Sequence, residues 1–108
     1  MSDNNHENLA SLLEQKVITD PSVVSVLFHQ EKQQILSMLI RSEYTIQELS
    51  TKLKLNPGTI KRHITDLMEG SLAVQTRIEV NEYGIKQKYY RATAKQYVVH
   101  ITWPEKNI

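Results

Sequence analysis

Between Thr45 and Gly70 the chain reads TIQELSTKLKLNPGTIKRHITDLMEG. Two helical patterns flank Leu55-Asn56-Pro57-Gly58, and that junction leaves the backbone little choice. Proline disfavours helical geometry in the residue before it, and it loses no hydrogen bond at a first helical position. Asn56, just ahead, is a preferred N-cap. One helix must stop here and another start. Upstream, Thr45-Ile46-Gln47-Glu48 has the form of a capping box, with the threonine hydroxyl and the glutamate carboxylate each satisfying a backbone N–H of the other. Ile46, Leu49 and Leu53 give the first helix its apolar stripe. At about 100° per residue, Ile60, Ile64, Leu67 and Met68 share one face of the second.

The flanks follow the same logic. Leu9, Leu12, Leu13 and Val17 predict a helix over 7–17, and Asp20-Pro21 opens another through Val23, Val24, Leu27 and Phe28. Ile35, Leu36, Leu39 and Ile40 place a third over about 31–41. After Gly70 the period changes to two. Leu72, Val74, Thr76, Ile78 and Val80 alternate with Ala73, Gln75, Arg77 and Glu79, then Asn81-Glu82-Tyr83-Gly84 turns and Ile85 to Ala92 returns, predicting a β-hairpin. Tyr97, Val99, Ile101 and Trp103 alternate again as a third strand ending at Pro104, with a short helix over 94–99 as the competing reading. Residues 1–6 and 104–108 read as flexible ends of a single domain over 7–103, with the helix pair at 45–69 and the hairpin at 72–92.

With 108 residues, 40% hydrophobic and 23% charged, the chain has the composition of an ordinary globular domain. It has no cysteine, which excludes disulfides and thiolate metal sites. Its opening lacks the basic-then-apolar order of a secretion signal, and its apolar runs are too short to span a bilayer. A net charge of +1 conceals an asymmetry. Residues 1–51 carry three basic side chains against seven acidic, and residues 52–95 carry nine against four. A basic half beside an acidic half suggests one surface that meets a polyanion.

Two short helices joined by a tight corner and followed by a hairpin define the expected fold: α+β, mostly helical, a winged helix-turn-helix domain with a C-terminal β-hairpin wing. In that layout the first helix braces the second, which lies in the major groove of duplex DNA. Arg62 points away from the apolar face, with Gly58 and Thr65 beside it and Lys61 on the flank. Pro57, Gly58 and Thr59 form the N-terminal tip, where free N–H groups and the helix dipole favour phosphate. Thr45, at the start of the bracing helix, joins this DNA-facing set. Arg77, Lys86, Lys88 and Arg91 in the hairpin suit the backbone or minor groove, where contacts position rather than specify. Asp66 and Glu69 oppose such a role, but they sit towards the far end of the helix.

ITDPSVVSVLFHQEKQQILSMLI, YTIQELSTKLKLNPGTIKRHITDLMEGSLAV and GIKQKYYRATAKQYVV together resemble ArsR-like winged helix-turn-helix transcriptional regulators, especially archaeal ones, over about residues 18–99. The most telling pieces are T-x-x-E-L-S, I-K-R-H-I-x-x-L and K-Y-Y-R-A-T-A-K. The resemblance implies a cytoplasmic, homodimeric repressor or activator in which Pro57, Gly58, Thr59, Lys61, Arg62 and Thr65 face DNA while His63 and Ile64 pack inward. Two departures stand out: the corner carries Lys54-Leu55-Asn56 where the family often has glycine, and the wing opens on Gly70-Ser71-Leu72 instead of Gly-Leu-Val. The family's metal-sensing branch uses thiolates, absent here, and His6, His29, His63 and His100 form no paired ligand motif. No cofactor or metal is expected.

One recognition helix reads few base pairs, so a homodimer is expected. Its candidate surfaces are the stripe of Leu9, Leu12, Leu13 and Val17 and the segment of Tyr97, Val99, Ile101 and Trp103. The expected partners are double-stranded DNA and a second copy of the chain. The alternative is a winged-helix protein-interaction module of a larger assembly that does not touch DNA. No nucleophile elbow, glycine-rich phosphate loop or paired-carboxylate motif suggests an enzyme.

Overall fold

The computed structural model describes residues 12–104. Its elements are β1 (Lys16–Ile18), α1 (Pro21–Leu27), α2 (Gln30–Arg41), β2 (Tyr44–Thr45), α3 (Ile46–Leu53), α4 (Pro57–Glu69), β3 (Ala73–Val80), β4 (Lys86–Ala92) and β5 (Tyr97–Val99). This is the expected α+β winged helix-turn-helix.

The helix ends are fixed by the local chemistry read from the sequence. Asp20 accepts from the Ser22 N–H at 2.9 Å ahead of Pro21. Thr45 and Glu48 close the capping box reciprocally at 3.0 and 2.9 Å. Asn56 accepts from the Gly58 N–H at 2.7 Å ahead of Pro57.

Both departures from the family pattern carry a left-handed backbone. Lys54 closes α3 at φ 58°, and Ser71 follows α4 at φ 59°. Such a conformation costs a non-glycine residue about 1–2 kcal/mol. At Ser71 a Schellman arrangement offsets that cost. Leu72 donates back to the Leu67 carbonyl at 2.8 Å and Ser71 to that of Met68 at 2.9 Å, so carbonyls left over at the helix end are satisfied.

The core gathers Ile35, Leu36 and Leu39 of α2, Leu49 of α3, Ile60, Ile64 and Leu67 of α4, and Leu72, Tyr90 and Ala92 from the sheet side. On α4 the buried set is Ile60, His63, Ile64 and Leu67. Met68, expected inward, is 38% exposed, while His63 is buried as the resemblance implied.

A three-stranded antiparallel sheet in the order β2-β4-β3 forms the wing and its root. The alternation expected for β3 is broken by a bulge between Gln75 and Arg77. Directly opposed residues of an antiparallel pair lie on the same face. Pairing of Gln75 with Tyr90, Ile78 with Lys88 and Val80 with Lys86 therefore puts Ile78 and Val80 on the Tyr90 side. Val74, opposite Arg91, shares the other side with Arg77 and Glu79. The extra residue, Thr76, resets the register, so the single apolar stripe from Leu72 to Val80 does not form.

Two further expectations are corrected. The described part of the 7–17 helix is extended, not helical: Leu13 bridges Ala94, and β1 pairs in parallel with β5, Lys16 opposite Tyr97 and Ile18 opposite Val99. Apolar spacing of three and four fits a helix, but here non-local strand pairing satisfies the backbone. Residue Leu9 lies outside the described residues. The third strand covers only Tyr97–Val99, stopping short of Trp103, and no helix forms over 94–99.

Candidate nucleic-acid interface

Helix α4 is held on its inner side by apolar packing and by two polar ties to α2. His63 Nε2 lies 2.7 Å from Glu31, and Lys32 lies 2.8 Å from Asp66. The His29 and His63 rings approach to 4.9 Å between centroids. The Lys32 hydrogen bond is the largest influence on Asp66 and holds its carboxyl below the ordinary value, helped by the charges of Lys32, His63 and Arg62. Asp66, one of the two acidic residues that counted against a polyanion partner, is thereby paired within the fold.

The opposite side of α4 is free. Pro57, Gly58, Lys61, Arg62 and Thr65 are exposed, and Thr59 is half-buried. Among the described residues neither Lys61 nor Arg62 has an ion-pair partner. Thr65, exposed, donates its hydroxyl to the Lys61 carbonyl at 2.9 Å, which leaves the lone pairs of its oxygen as acceptors. At the helix tip the Gly58 N–H is spent on Asn56, which takes one of the donors that sequence reasoning offered to a phosphate.

Lys61 meets the wing across a cleft of about 480 Å³, whose lining includes Gln47, Ile85, Lys86, Lys88 and Tyr90. Three ammonium groups from two distant stretches of sequence thus border one hollow, and low-dielectric walls around like charges focus a positive potential. The Tyr90 phenol is buried, which raises its pKa and keeps it neutral. Gln47 was missed from the sequence. The signal was there, an exposed polar residue inside the capping box, but nothing local said which way that helix end would face.

Two expected site residues have other partners within the fold. Thr45 lies in the wall of the same cleft, but it is 4% exposed and its hydroxyl is committed to the Glu48 N–H, so it serves there as a helix cap. Arg77 lies on the other face of the hairpin from Lys86 and Lys88. Its guanidinium sits 3.9 Å over the Tyr89 ring and pairs with Glu43 at 3.0 Å and with Glu79. Burial alone would raise the Glu43 carboxyl, but hydrogen bonds from Thr76 and Arg77 and the charges of Arg77 and Arg91 outweigh it and hold it low. Hydrogen bonding to Glu43 is in turn the largest influence raising the Arg77 pKa.

The residues expected at a dimer surface also divide. Leu12 packs against the core. The Tyr97 hydroxyl turns inward, donating to the Leu72 carbonyl at 2.8 Å and accepting from the N–H groups of Thr93 and Ala94. Leu13 and Val17 are each 57% exposed, Trp103 is 87% exposed, and Val99, Ile101 and Phe28 are also open to solvent.

Among the described residues no group of three or more His, Asp and Glu side chains could hold a metal ion. His63, Glu31 and His29 are occupied: the first two with each other, and His29 Nδ1 with the Lys32 N–H at 3.4 Å.

A braced helix with a free cationic side, followed by a β-ribbon, defines the class: a winged helix-turn-helix domain. Residues 29–72, from the cap of α2 to the entrance of the wing, match the family described as "Bacterial regulatory protein, arsR family". Among solved structures the chain is similar to the transcriptional regulator HlyU of Vibrio vulnificus, with 24% identity, 69% of this chain and 72% of that one covered, and a TM-score of 0.58. It is also similar to the transcriptional repressor BigR of Xylella fastidiosa, at 22% identity over 68% and 66% of the two chains with a TM-score of 0.56. A third is a homodimeric winged helix-turn-helix DNA-binding domain from Mycobacterium bovis, a possible ArsR-family regulator, at 20% identity over 88% and 75% with a TM-score of 0.57. Among curated proteins none matches the chain. The fold is that of ArsR-type transcriptional regulators. Among the described residues no helix is long and apolar enough to cross a membrane.

Proposed function

We propose that the chain is a sequence-specific, double-stranded DNA-binding transcriptional regulator that acts as a cytoplasmic homodimer, of the ArsR-like kind its sequence resembles in archaea. The observation that carries this reading is the alignment of Lys61, Lys86 and Lys88 on one cleft beside the unpaired Arg62. Helix α4 enters the major groove by its N-terminal turns. Arg62 reads a base edge, Thr65 offers an acceptor, and Pro57, Gly58 and Thr59 approach a phosphate. Lys61 on the helix flank, with Lys86 and Lys88 from the wing, neutralises backbone phosphates. Two copies related by a two-fold axis place their α4 helices one turn apart along the groove, roughly 34 Å. The exposed Leu13, Val17, Val99, Ile101 and Trp103 supply the apolar area for that pairing.

Selection of bound fragments from random duplex DNA tests the whole reading. A two-fold symmetric site is the expected result, with affinity falling steeply as salt rises. Arg62→Ala should weaken the selected site by roughly 1–3 kcal/mol relative to scrambled duplex, whereas Lys86→Ala should weaken both alike and lower the salt slope by about one. The second reading, a protein-interaction module, draws on Phe28 and Trp103, which are 66% and 87% exposed. A chain that shows no salt-dependent affinity for any duplex would have that function and not the first.

A further inference from the structure

The end of the wing is apolar. Tyr83 is 78% exposed, Val80 61%, Ile85 58% and Ile78 48%. Solvent-facing side chains of this kind are a liability on a β-ribbon, whose exposed edges are ordinarily protected by charge. None of them is needed to build the turn, because Asn81 does that work. Its Oδ1 accepts from the N–H groups of Tyr83 and Ile85 at 2.8 and 3.0 Å, and its own N–H donates to the Ile85 carbonyl at 2.9 Å. Gly84 supplies the left-handed residue at φ 79° and donates to the Asn81 carbonyl at 3.0 Å. The tip is therefore preorganised by its backbone, with its large apolar groups free.

The bulge sets the direction of the two that lie in β3. Val80 lies opposite Lys86 and Ile78 opposite Lys88, on the hairpin face whose lysines border the cleft with Lys61. Hydrophobic groups and cations thus run along one ribbon face next to α4, with Ile85 itself in the cleft wall. Lysines flanking an apolar point match a duplex minor groove, which has phosphate rims and a narrow interior where apolar side chains part adjacent base steps. Glu82 is the one acidic side chain of the turn and is repelled by those rims. The ammonium groups of Lys86 and Lys88 on the same hairpin offset it.

Resting on the DNA-binding reading, we propose that Ile85 and Tyr83 form a wedge that enters the minor groove beside the site of α4 and unstacks a base step there, so that the wing contributes apolar contact and DNA deformation as well as charge. Flexible pyrimidine–purine steps, which open at least cost, are its preferred targets.

The test uses the full chain and a duplex carrying a fluorescent adenine analogue at a TA step next to the selected site. Wild-type binding should raise the analogue's fluorescence as its stacking is lost. Ile85→Ser and the double variant with Tyr83→Ser should abolish that rise and weaken binding by roughly tenfold, from the lost burial of an apolar side chain, with the salt slope unchanged. Lys86→Ala should lower the salt slope and keep the rise. Ile85 and Tyr83 are exposed, so thermal unfolding should confirm that these variants fold normally. If Ile85→Ser binds like wild type with the fluorescence rise intact, or if no rise occurs with wild type bound, the wedge is refuted and DNA binding stands. Failure of the wild-type chain to bind any duplex overturns both readings. Loss in Ile85→Ser of affinity for anionic phospholipid vesicles, with duplex binding unaffected, would assign the tip to a membrane surface and also overturn the wedge.

Discussion

Replacing Thr45 by valine separates two roles that the sequence alone assigned to the same residue. Valine keeps the shape and the methyl group, suits the extended backbone of β2, and deletes only the hydroxyl. In the structure that hydroxyl accepts from the Glu48 N–H at 3.0 Å in a site only 4% exposed, so water cannot easily take its place. Loss of a threonine cap costs about 0.5–2 kcal/mol, and a buried donor left without a partner about 1–3 kcal/mol. The two figures describe one lost bond, so a destabilisation of about 1–2 kcal/mol is expected. For a domain near this size each kcal/mol lowers the midpoint by roughly 4–8 °C. Thermal unfolding followed by far-ultraviolet circular dichroism should therefore show a fall of roughly 5–15 °C. Thr45→Ser, which keeps the hydroxyl, should recover most of it. Duplex affinity, measured by fluorescence anisotropy at a temperature where all three proteins are folded, should not change. An unaltered midpoint with a large loss of affinity would refute the capping argument and return Thr45 to the DNA contact set.

Leu67→Ala empties a fully buried position on the inner face of α4 and should cost about 2–5 kcal/mol in urea unfolding, while Leu67→Met should cost much less; equal losses would show that the site collapses freely. Arg77→Ala should leave duplex affinity and its salt dependence as they are, because Glu43 and Glu79 already compensate that charge on the far face of the hairpin; a salt slope reduced as in Lys86→Ala would place Arg77 at the interface. Glu43 has a folded pKa below its ordinary 4.5, so its contribution is complete above that value and disappears as the pH falls through the lower folded value. Urea unfolding between neutral pH and pH 3 should show Glu43→Gln losing less stability on acidification than wild type; parallel curves would remove Glu43 from the acid response.

The helical half of this fold was legible because its signals are local. Proline at Pro21 and Pro57, caps at Asp20 and Asn56, and the Thr45–Glu48 box each act within a few residues, and the structure uses every one of them. The strands were less legible because their partners are distant. Nothing near Leu13 announces Ala94, and nothing near Thr76 announces the extra residue that turns Val74 and Ile78 to opposite faces. The candidate site divides in the same way. Lys61, Arg62 and Thr65 follow from helical period alone. Separating Lys86 and Lys88 from Arg77 needed the bulge, and seeing the Thr45 hydroxyl committed to a cap needed the depth at which it is buried. His63 packs inward as the resemblance implied, with Glu31 of a different helix as its partner, whereas Met68 turns out to be exposed.

The parallel clasp of β1 with β5 has a consequence for how the molecule comes into being. Lys16 waits for Tyr97 and Ile18 for Val99, so β1 has no strand partner until the segment around Tyr97–Val99 has left the ribosome. The helix pair and the wing root are closer along the chain and can gather first, since contacts at short sequence separation close at lower entropic cost. The clasp is then the last seam to be drawn shut, and a polypeptide ending just before Tyr97 would leave the amino-terminal strand unmatched.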